Sequence, residues 1–288
     1  MNFVLNNLLI TGLPAVLAGV LWLVGGRLPR AHGWLSAPAV GLGMGLVYWL
    51  MLGKPAFPPT DAQEWVFWLA LGLIPLGWLA GIAPAYRWVA GWGLVLVMPW
   101  VFVLLFSPLM RTEYWALSVG VVWILVFGVG LAILTLVAAP AEERLAGWQT
   151  AFLLALIGGV SAGVLFYGAK SASFAQMGGS LGAIVGIGVP IGWVMRSFRL
   201  GRGAIAVAVM LYGILWALGF AYASLQAPYL LAFALCVLTL AIPVSPIGRR
   251  LNPTMRFVLP LIGILLVGGA AVGLSYQAYM AAGSAYYY

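Results

Sequence analysis

The chain has 288 residues, of which 65% are apolar and only 6% are charged, and its mean hydropathy is +1.11. A soluble domain carries about 25% charged residues, so the surface of this chain must be solvated mainly by lipid. The net charge of +8 is not concentrated in a polar basic domain, which argues against nucleic acid as a partner.

Apolar segments follow one another along the chain, each long enough for a helix of about 20 residues that crosses the hydrocarbon core. No Lys or Arg precedes the first segment and Arg27 follows it, which is typical of a retained span rather than a cleaved signal peptide. We therefore predict an all-α fold: one polytopic transmembrane helical bundle over residues 1–288, with about ten spans and no soluble domain. The predicted spans are 3–26, 33–53, 63–83, 88–107, 114–138, 144–167, 176–196, 203–225, 227–247 and 256–279.

The breaks between spans carry signals for helix starts. Residues 59–64 (PTDAQE) match a capping box. Pro140, followed by Glu142 and Glu143, suits a first helical turn, where proline is tolerated and the helix dipole favours carboxylates. Within the spans, glycines four residues apart predict close helix packing. The predicted span 176–196 is richest in them, and we expect it to lie centrally in the bundle.

The charges of the loops predict an orientation. With ten spans, ten arginines fall on one side and only Lys54, Arg111 and Lys170 on the other. Because all connections are short, the positive-inside rule applies, and we expect the arginine-rich side to be cytoplasmic and both termini to lie outside, in a bacterial cytoplasmic (inner) membrane. The ten arginines are Arg27, Arg30, Arg87, Arg144, Arg196, Arg199, Arg202, Arg249, Arg250 and Arg256.

The interiors of the predicted spans carry no Asp, Glu, Lys, Arg or His. Proton-coupled carriers, voltage sensors and retinal proteins need such groups within the membrane, so these mechanisms are disfavoured. His32 is the only histidine and Cys236 the only cysteine, too few for a metal or haem site. We expect no catalytic residue, no metal and no cofactor, and hence no enzyme.

Two sets of residues are candidates for binding. A path for a neutral solute would use uncharged polar groups and broken backbone inside spans, and we assign to it Gln149, Ser161, Gly186, Gly188 and Pro190. Helix packing and interhelical hydrogen bonds are the alternative explanation for these five residues. Contacts with anionic lipid headgroups on the cytoplasmic side are assigned to Arg196, Arg199, Arg202, Arg249, Arg250 and Arg256, which could equally be the topology signal alone.

Two short motifs resemble sequences of a known group. The loop 57–65 (FPPTDAQEW), followed by an apolar helix, and the segment 170–176 (KSASFAQ), which leads into a glycine-rich span, are similar to uncharacterised multi-pass membrane proteins of planctomycete-type bacteria. That resemblance implies no function. In size and span count the chain also resembles drug/metabolite-type ten-helix carriers, which normally keep both termini inside, opposite to the orientation predicted here.

Two functions are compatible with these patterns. The first is a permease-like bundle for a neutral or amphipathic solute, which the glycines and prolines within the spans favour. The alternative is a non-catalytic membrane subunit or scaffold of a larger membrane complex, which the missing intramembrane charges and the many small-residue faces favour.

Overall fold

The computed structural model describes residues 3–27, 29–81 and 87–284, and its regular elements are helices. Two 3-10 turns, Ala139–Glu143 and Ile242–Val244, follow α5 and α10. The α-helices are α1 (Phe3–Arg27), α2 (Pro29–Leu52), α3 (Glu64–Gly81), α4 (Arg87–Arg111), α5 (Leu117–Ala138), α6 (Gly147–Tyr167), α7 (Ala172–Gly186), α8 (Gly188–Val194), α9 (Arg202–Tyr222), α10 (Ala227–Thr239), α11 (Pro246–Arg250) and α12 (Pro253–Ser284).

Ten membrane-spanning segments are present in the described part of the chain, each long and apolar enough to cross a bilayer. The predicted all-α bundle of about ten spans is therefore confirmed, and the chain is a multi-pass membrane protein. Residues 82 and 83 of the predicted third span lie outside the described residues, as do the side chains of Arg30 and Arg87. Residue 32, predicted in a loop, instead lies in the first turns of α2, because Pro29 can begin a helix.

Local sequence explains several helix ends. At α3, the Asp61 backbone N–H donates to Glu64 Oε2 at 3.3 Å, and the Gln63 N–H donates to Asp61 Oδ1 at 3.3 Å. The Glu64 half of the predicted capping box is therefore present, while the Asp61 side chain accepts from the Gln63 N–H rather than from that of Glu64. Ser171 caps α7 by accepting from the Phe174 N–H at 3.3 Å.

The seventh span is broken where glycine and proline coincide. Helix α7 ends at Gly186 and α8 begins at Gly188, with Ile187 between them in a turn. Pro190 has no N–H to donate to the Gly186 carbonyl, and the next bond, from Ile191 N to Ile187 O, is stretched to 3.5 Å. The combination of small residues and one lost donor accounts for the break.

Helix α9, rather than the seventh span, forms the centre of the bundle. Of its most apolar window 94% is buried, against at most 56% for any other span, and it contacts α2, α3, α5, α6, α7 and α10. Small residues let neighbours approach it closely. A Cβ built on Gly77 of α3 would lie 2.6 Å from Val207 Cγ2 and 3.0 Å from the Gly203 carbonyl oxygen. The expectation of a central seventh span is therefore wrong, because small residues occur on every side of α9.

The seventh span nevertheless makes the close contact expected of its glycines. A Cβ built on Gly158 of α6 would lie only 2.5 Å from the Gly182 Cα of α7. Backbones this close are typical of small-residue packing in membranes, where helices associate by shape and hydrogen bonding rather than by a hydrophobic force.

The two ends of the bundle differ in charge. The arginine end carries the 3-10 turn Ala139–Glu143 and the segment 195–201 between α8 and α9. The opposite end carries the loop 53–63, the loop 112–116 after α4 and the loop 223–226 between α9 and α10.

Candidate functional site

The residues assigned to a solute path do not share one cavity. Gln149 Oε1 accepts from the Ala146 N–H at 2.9 Å and so caps α6. Ser161 Oγ donates to the Ile157 carbonyl at 2.8 Å and accepts from the Trp216 indole N–H at 2.9 Å. The Ser161 hydroxyl therefore acts as both donor and acceptor inside the bundle.

The three backbone candidates lie at the break between α7 and α8. A Cβ built on Gly188 would lie 2.9 Å from the Ala151 Cβ, and one on Gly186 would lie 3.3 Å from the Ala155 Cβ. Both glycines therefore serve the packing of this break against α6, while Pro190 is exposed. None of the five candidates lines the four cavities, of about 340, 420, 480 and 560 Å³, that lie among the described residues.

Two of the arginines assigned to lipid contact also brace the arginine end. Arg199 Nη1 donates to the carbonyl oxygens of Glu142 at 2.9 Å and Leu145 at 2.8 Å. Arg202, whose side chain is 10% exposed, forms an ion pair with Glu143. The 3-10 turn after α5 is thereby held against the start of α9.

The carboxyl group of Glu142 completes this brace. It lies against the backbone N–H groups of Gly201 and Arg202 at the start of α9. Glu142 and Glu143 were expected in the first turn of the sixth span, but they lie in a 3-10 turn before it. Their charges therefore act on α9, whose N-terminus is the positive end of that helix dipole.

The other four arginines lie near the surface of the same end. Arg256 donates to the carbonyls of Gly248 and Arg249, both at 3.1 Å, and so holds α11 against α12. Arg249, Arg250 and Arg196 are exposed. Arg196 also borders a cavity of about 340 Å³ with Ala146, Trp148, Gly192 and Trp193.

A strongly apolar cavity forms a groove between α5 and α10, with α9 as its floor; we call it the lateral groove. Its volume is about 480 Å³, within the range of roughly 300–1,000 Å³ that is usual for small-molecule sites. It is lined by Trp123, Val126, Phe127, Gly130, Leu131, Ile133, Leu134, Gly213, Trp216, Ala227, Leu230, Leu231, Phe233, Ala234 and Leu238.

Small residues create the lateral groove. A Cβ built on Gly130 of α5 would meet no atom within 4 Å, so this position faces open space. Ala227 and Ala234, seven residues apart, face the same space from α10. At the floor, a Cβ on Gly213 would lie 2.4 Å from Leu131 Cδ1, so α5 and α9 touch there and the groove stays shallow.

The floor of the groove presents no free polar group of its own. The indole N–H of Trp216 is engaged by Ser161, and its ring stacks on Phe233 with centroids 5.2 Å apart and planes 27° apart. The rims of the groove are exposed: Ile133 on α5 and Leu231 on α10 are 49% and 63% exposed. The groove therefore opens sideways, at the depth of the lipid chains.

A second cavity, of about 420 Å³, lies at the opposite end of the bundle; we call it the end pocket. Four of its lining side chains carry hydroxyl groups. Thr112 Oγ1 donates to the Pro108 carbonyl at 3.0 Å, and Tyr222 donates to the Leu105 carbonyl at 2.5 Å. The lining residues are Leu109, Thr112, Tyr114, Trp115, Phe220, Ala221, Tyr222 and Ser224.

One layer of aromatic rings separates the end pocket from the lateral groove. Phe220 lines the end pocket, Trp123 lines the groove, and their ring centroids are 4.4 Å apart. Trp115 on the pocket side lies 6.1 Å from Phe220, and Phe127 on the groove side lies 5.8 Å from it. The two cavities are therefore neighbours, separated by these rings.

A further cavity of about 560 Å³ lies under the loop 53–63 at the same end. Lys54 and Glu64 are its charged lining residues. Glu64 Oε2 accepts from the Thr60 N–H at 2.6 Å and from its hydroxyl at 3.1 Å, so this carboxylate is committed to shaping the loop.

Sequence reasoning did not identify the residues of the lateral groove. The available signal was three small residues on helix faces whose other side chains are large and apolar: Gly130 on α5, and Ala227 and Ala234 on α10. Small residues in spans ordinarily indicate close helix packing. Only the arrangement of α5 and α10 distinguishes a packed glycine from one that leaves space.

No family model, curated protein or solved structure matched the chain in any of the three comparisons made.

Proposed function

We propose that this multi-pass membrane protein is permease-like and that its cargo is an amphipathic, lipid-like molecule whose hydrocarbon chain enters the lateral groove from the bilayer. The groove itself is the observation that supports this proposal most directly. Water is a poor occupant, because a water molecule needs two to four polar partners and the lining of this cavity is almost entirely apolar.

The shape of the groove suits an extended hydrocarbon chain. Between Ala227 and Leu238, both of which line it, the groove follows α10 for about 17 Å at 1.5 Å per residue. The close approach of Gly213 and Leu131 at its floor keeps the groove shallow, so a narrow chain can lie along it between α5 and α10.

The depth of the groove indicates which leaflet supplies the cargo. Ala227 begins α10 at the opposite end of the bundle, and a length of about 17 Å reaches just beyond the middle of a hydrocarbon core of about 30 Å. The cargo would thus be taken from the leaflet at the opposite end. The arginine end is assigned to the cytoplasmic side of a bacterial inner membrane, where exposed Arg196 and Arg250 contact anionic headgroups.

Lipid transfer in proteoliposomes tests the proposed function. Single-chain and double-chain fluorescent amphipaths are placed in one leaflet, and their movement is followed by chemical quenching from outside. We expect the wild-type protein to accelerate movement of at least one amphipath over protein-free vesicles. Ala234→Phe, which fills the groove, should abolish the acceleration.

Leu235→Phe is the matched control, because Leu235 is the exposed neighbour on α10 and does not line the groove. It should retain the wild-type rate. Equal rates for the two variants would contradict a role of the groove. If no amphipath moves faster than in empty vesicles, and native membranes yield stoichiometric companion proteins, the chain is a membrane subunit instead.

A further inference from the structure

We infer that the end pocket binds the headgroup of the cargo and that this headgroup is uncharged and rich in hydrogen-bonding groups, such as a sugar or polyol. This inference rests on the proposed function, since it assigns the polar part of a molecule whose chain occupies the lateral groove. The main support is that a pocket lined by hydroxyl groups lies next to an apolar groove, with only the Phe220–Trp123 ring contact between them.

The lateral groove cannot supply much affinity by itself. Lipid tails are as apolar as the groove, so moving a chain from the bilayer into it gains no hydrophobic free energy. Preference for one amphipath over the surrounding lipids must then come from polar contacts at the end of the chain. The end pocket adjoins the groove at this end and is lined by polar side chains.

The end pocket has hydroxyl groups to offer. Those of Thr112 and Tyr222 donate to backbone carbonyls, which leaves their oxygen atoms as acceptors. The hydroxyls of Tyr114 and Ser224 make no hydrogen bond to any described residue. Tyr114 is 73% exposed at the mouth, so its phenol can reach a ligand that lies partly outside. The pocket thus presents both donors and acceptors, as a polyhydroxylated headgroup requires.

The lining of the end pocket carries no charged side chain. Binding of a phosphate or carboxylate headgroup ordinarily uses Arg or Lys in charge-assisted hydrogen bonds. The nearest charges along the chain, Arg111 and Glu113, are opposite in sign and are not part of the lining. The chemistry of the pocket therefore selects an uncharged headgroup over an anionic one.

The loops at the mouth hold an uncommon backbone conformation. Glu113 and Ser224, from the two loops that border the pocket, have φ angles of 58° and 61°. Residues other than glycine seldom adopt this left-handed region, and such positions recur at binding sites where surrounding contacts enforce them. Here they place Tyr114 and the Ser224 hydroxyl beside the cavity.

Binding of two single-chain probes to the protein in nanodiscs tests this inference. The probes are dodecyl maltoside, with an uncharged sugar headgroup, and dodecyl phosphate, with an anionic one. We expect tighter binding of the maltoside. The double variant Tyr114→Phe/Ser224→Ala, which removes only two oxygen atoms, should weaken maltoside binding by roughly five- to a hundredfold.

The matched control is Tyr276→Phe/Ser197→Ala, the same two changes at exposed positions away from both cavities. It should bind the maltoside as the wild type does. Tighter binding of the phosphate, or equal maltoside affinity in both double variants, would overturn the headgroup assignment. If Ala234→Phe still weakens binding in that case, the proposed function survives alone. If neither probe binds the wild-type protein, both proposals fail.

Discussion

Replacing Gly158 by alanine probes the closest helix contact of the bundle. The added methyl group would lie 2.5 Å from the Gly182 Cα and 2.9 Å from the Gly182 backbone nitrogen. It would also lie 2.6 Å from the Tyr212 hydroxyl, which donates to the Leu154 carbonyl at 3.1 Å. Because two of the three atoms are backbone, the clash can be relieved only by separating α6 from α7.

The adjacent Gly159 provides an internal reference. A Cβ built on it meets no atom within 4 Å, so Gly159→Ala changes the same residue type in the same helix without a clash. Both variants gain about 1 kcal/mol of helix propensity, which cancels in the comparison. Overpacking costs about 1–3 kcal/mol. The free energy of unfolding of Gly158→Ala should therefore lie about 1–3 kcal/mol below that of Gly159→Ala.

The chain contains its own probe for this measurement. Cys236 is the single cysteine and is 1% exposed, so a thiol-reactive dye labels it only when the bundle opens. At roughly 2–4 °C per kcal/mol, Gly158→Ala should melt in detergent about 2–12 °C below Gly159→Ala. A Gly158→Ala protein that melts at the same temperature as Gly159→Ala, or above it, would refute the near-backbone contact of α6 and α7.

Three further predictions concern hydrogen bonds, the arginine end and orientation. In a double-mutant cycle of Trp216→Phe and Ser161→Ala, the coupling free energy should be about 0.5–1.7 kcal/mol. If the two substitutions change the free energy of unfolding additively, the buried hydrogen bond between indole and hydroxyl is contradicted. Arg199→Ala should lower the melting temperature, because the carbonyls of Glu142 and Leu145 lose their donor. Arg250→Ala should not, because the Arg250 side chain makes no hydrogen bond to a described residue. Equal losses would argue against the brace. Lys54→Cys and Arg250→Cys, each made in a chain without Cys236, test the orientation in intact cells. A membrane-impermeant maleimide should label the first and not the second. The reverse labelling would show that the arginine end faces outside.

Much of the fold is local in origin and could be predicted. The hydrophobicity of about 20 successive residues is enough to indicate a span, because a bilayer demands that every backbone polar group be bonded within the segment. The cap of α3 by Asp61 and Glu64, and the break around Gly186 and Pro190, also follow from neighbouring residues. Each of these features depends on atoms within about one helical turn.

The candidate site was not predictable in the same way. The sequence identifies Ser161 as a polar residue inside a span, but not that its hydroxyl accepts a hydrogen bond from Trp216, 55 positions away. Arg199 had the character of a surface charge, but it bonds to carbonyls on the turn and loop between α5 and α6. A polar side chain does not reveal its partner, because the partner comes from a distant part of the chain.

The composition of the sequence and the length of its apolar segments by themselves determined that this is a lipid-solvated helical bundle with uncharged span interiors. The tertiary structure decided that α9 lies at the centre and that Gly130 and Ala234 leave a groove while Gly158 and Gly182 close a contact. The physical reason is the same in each case. A small residue allows a neighbouring helix to approach closely, but whether a helix lies against it depends on how the whole bundle packs.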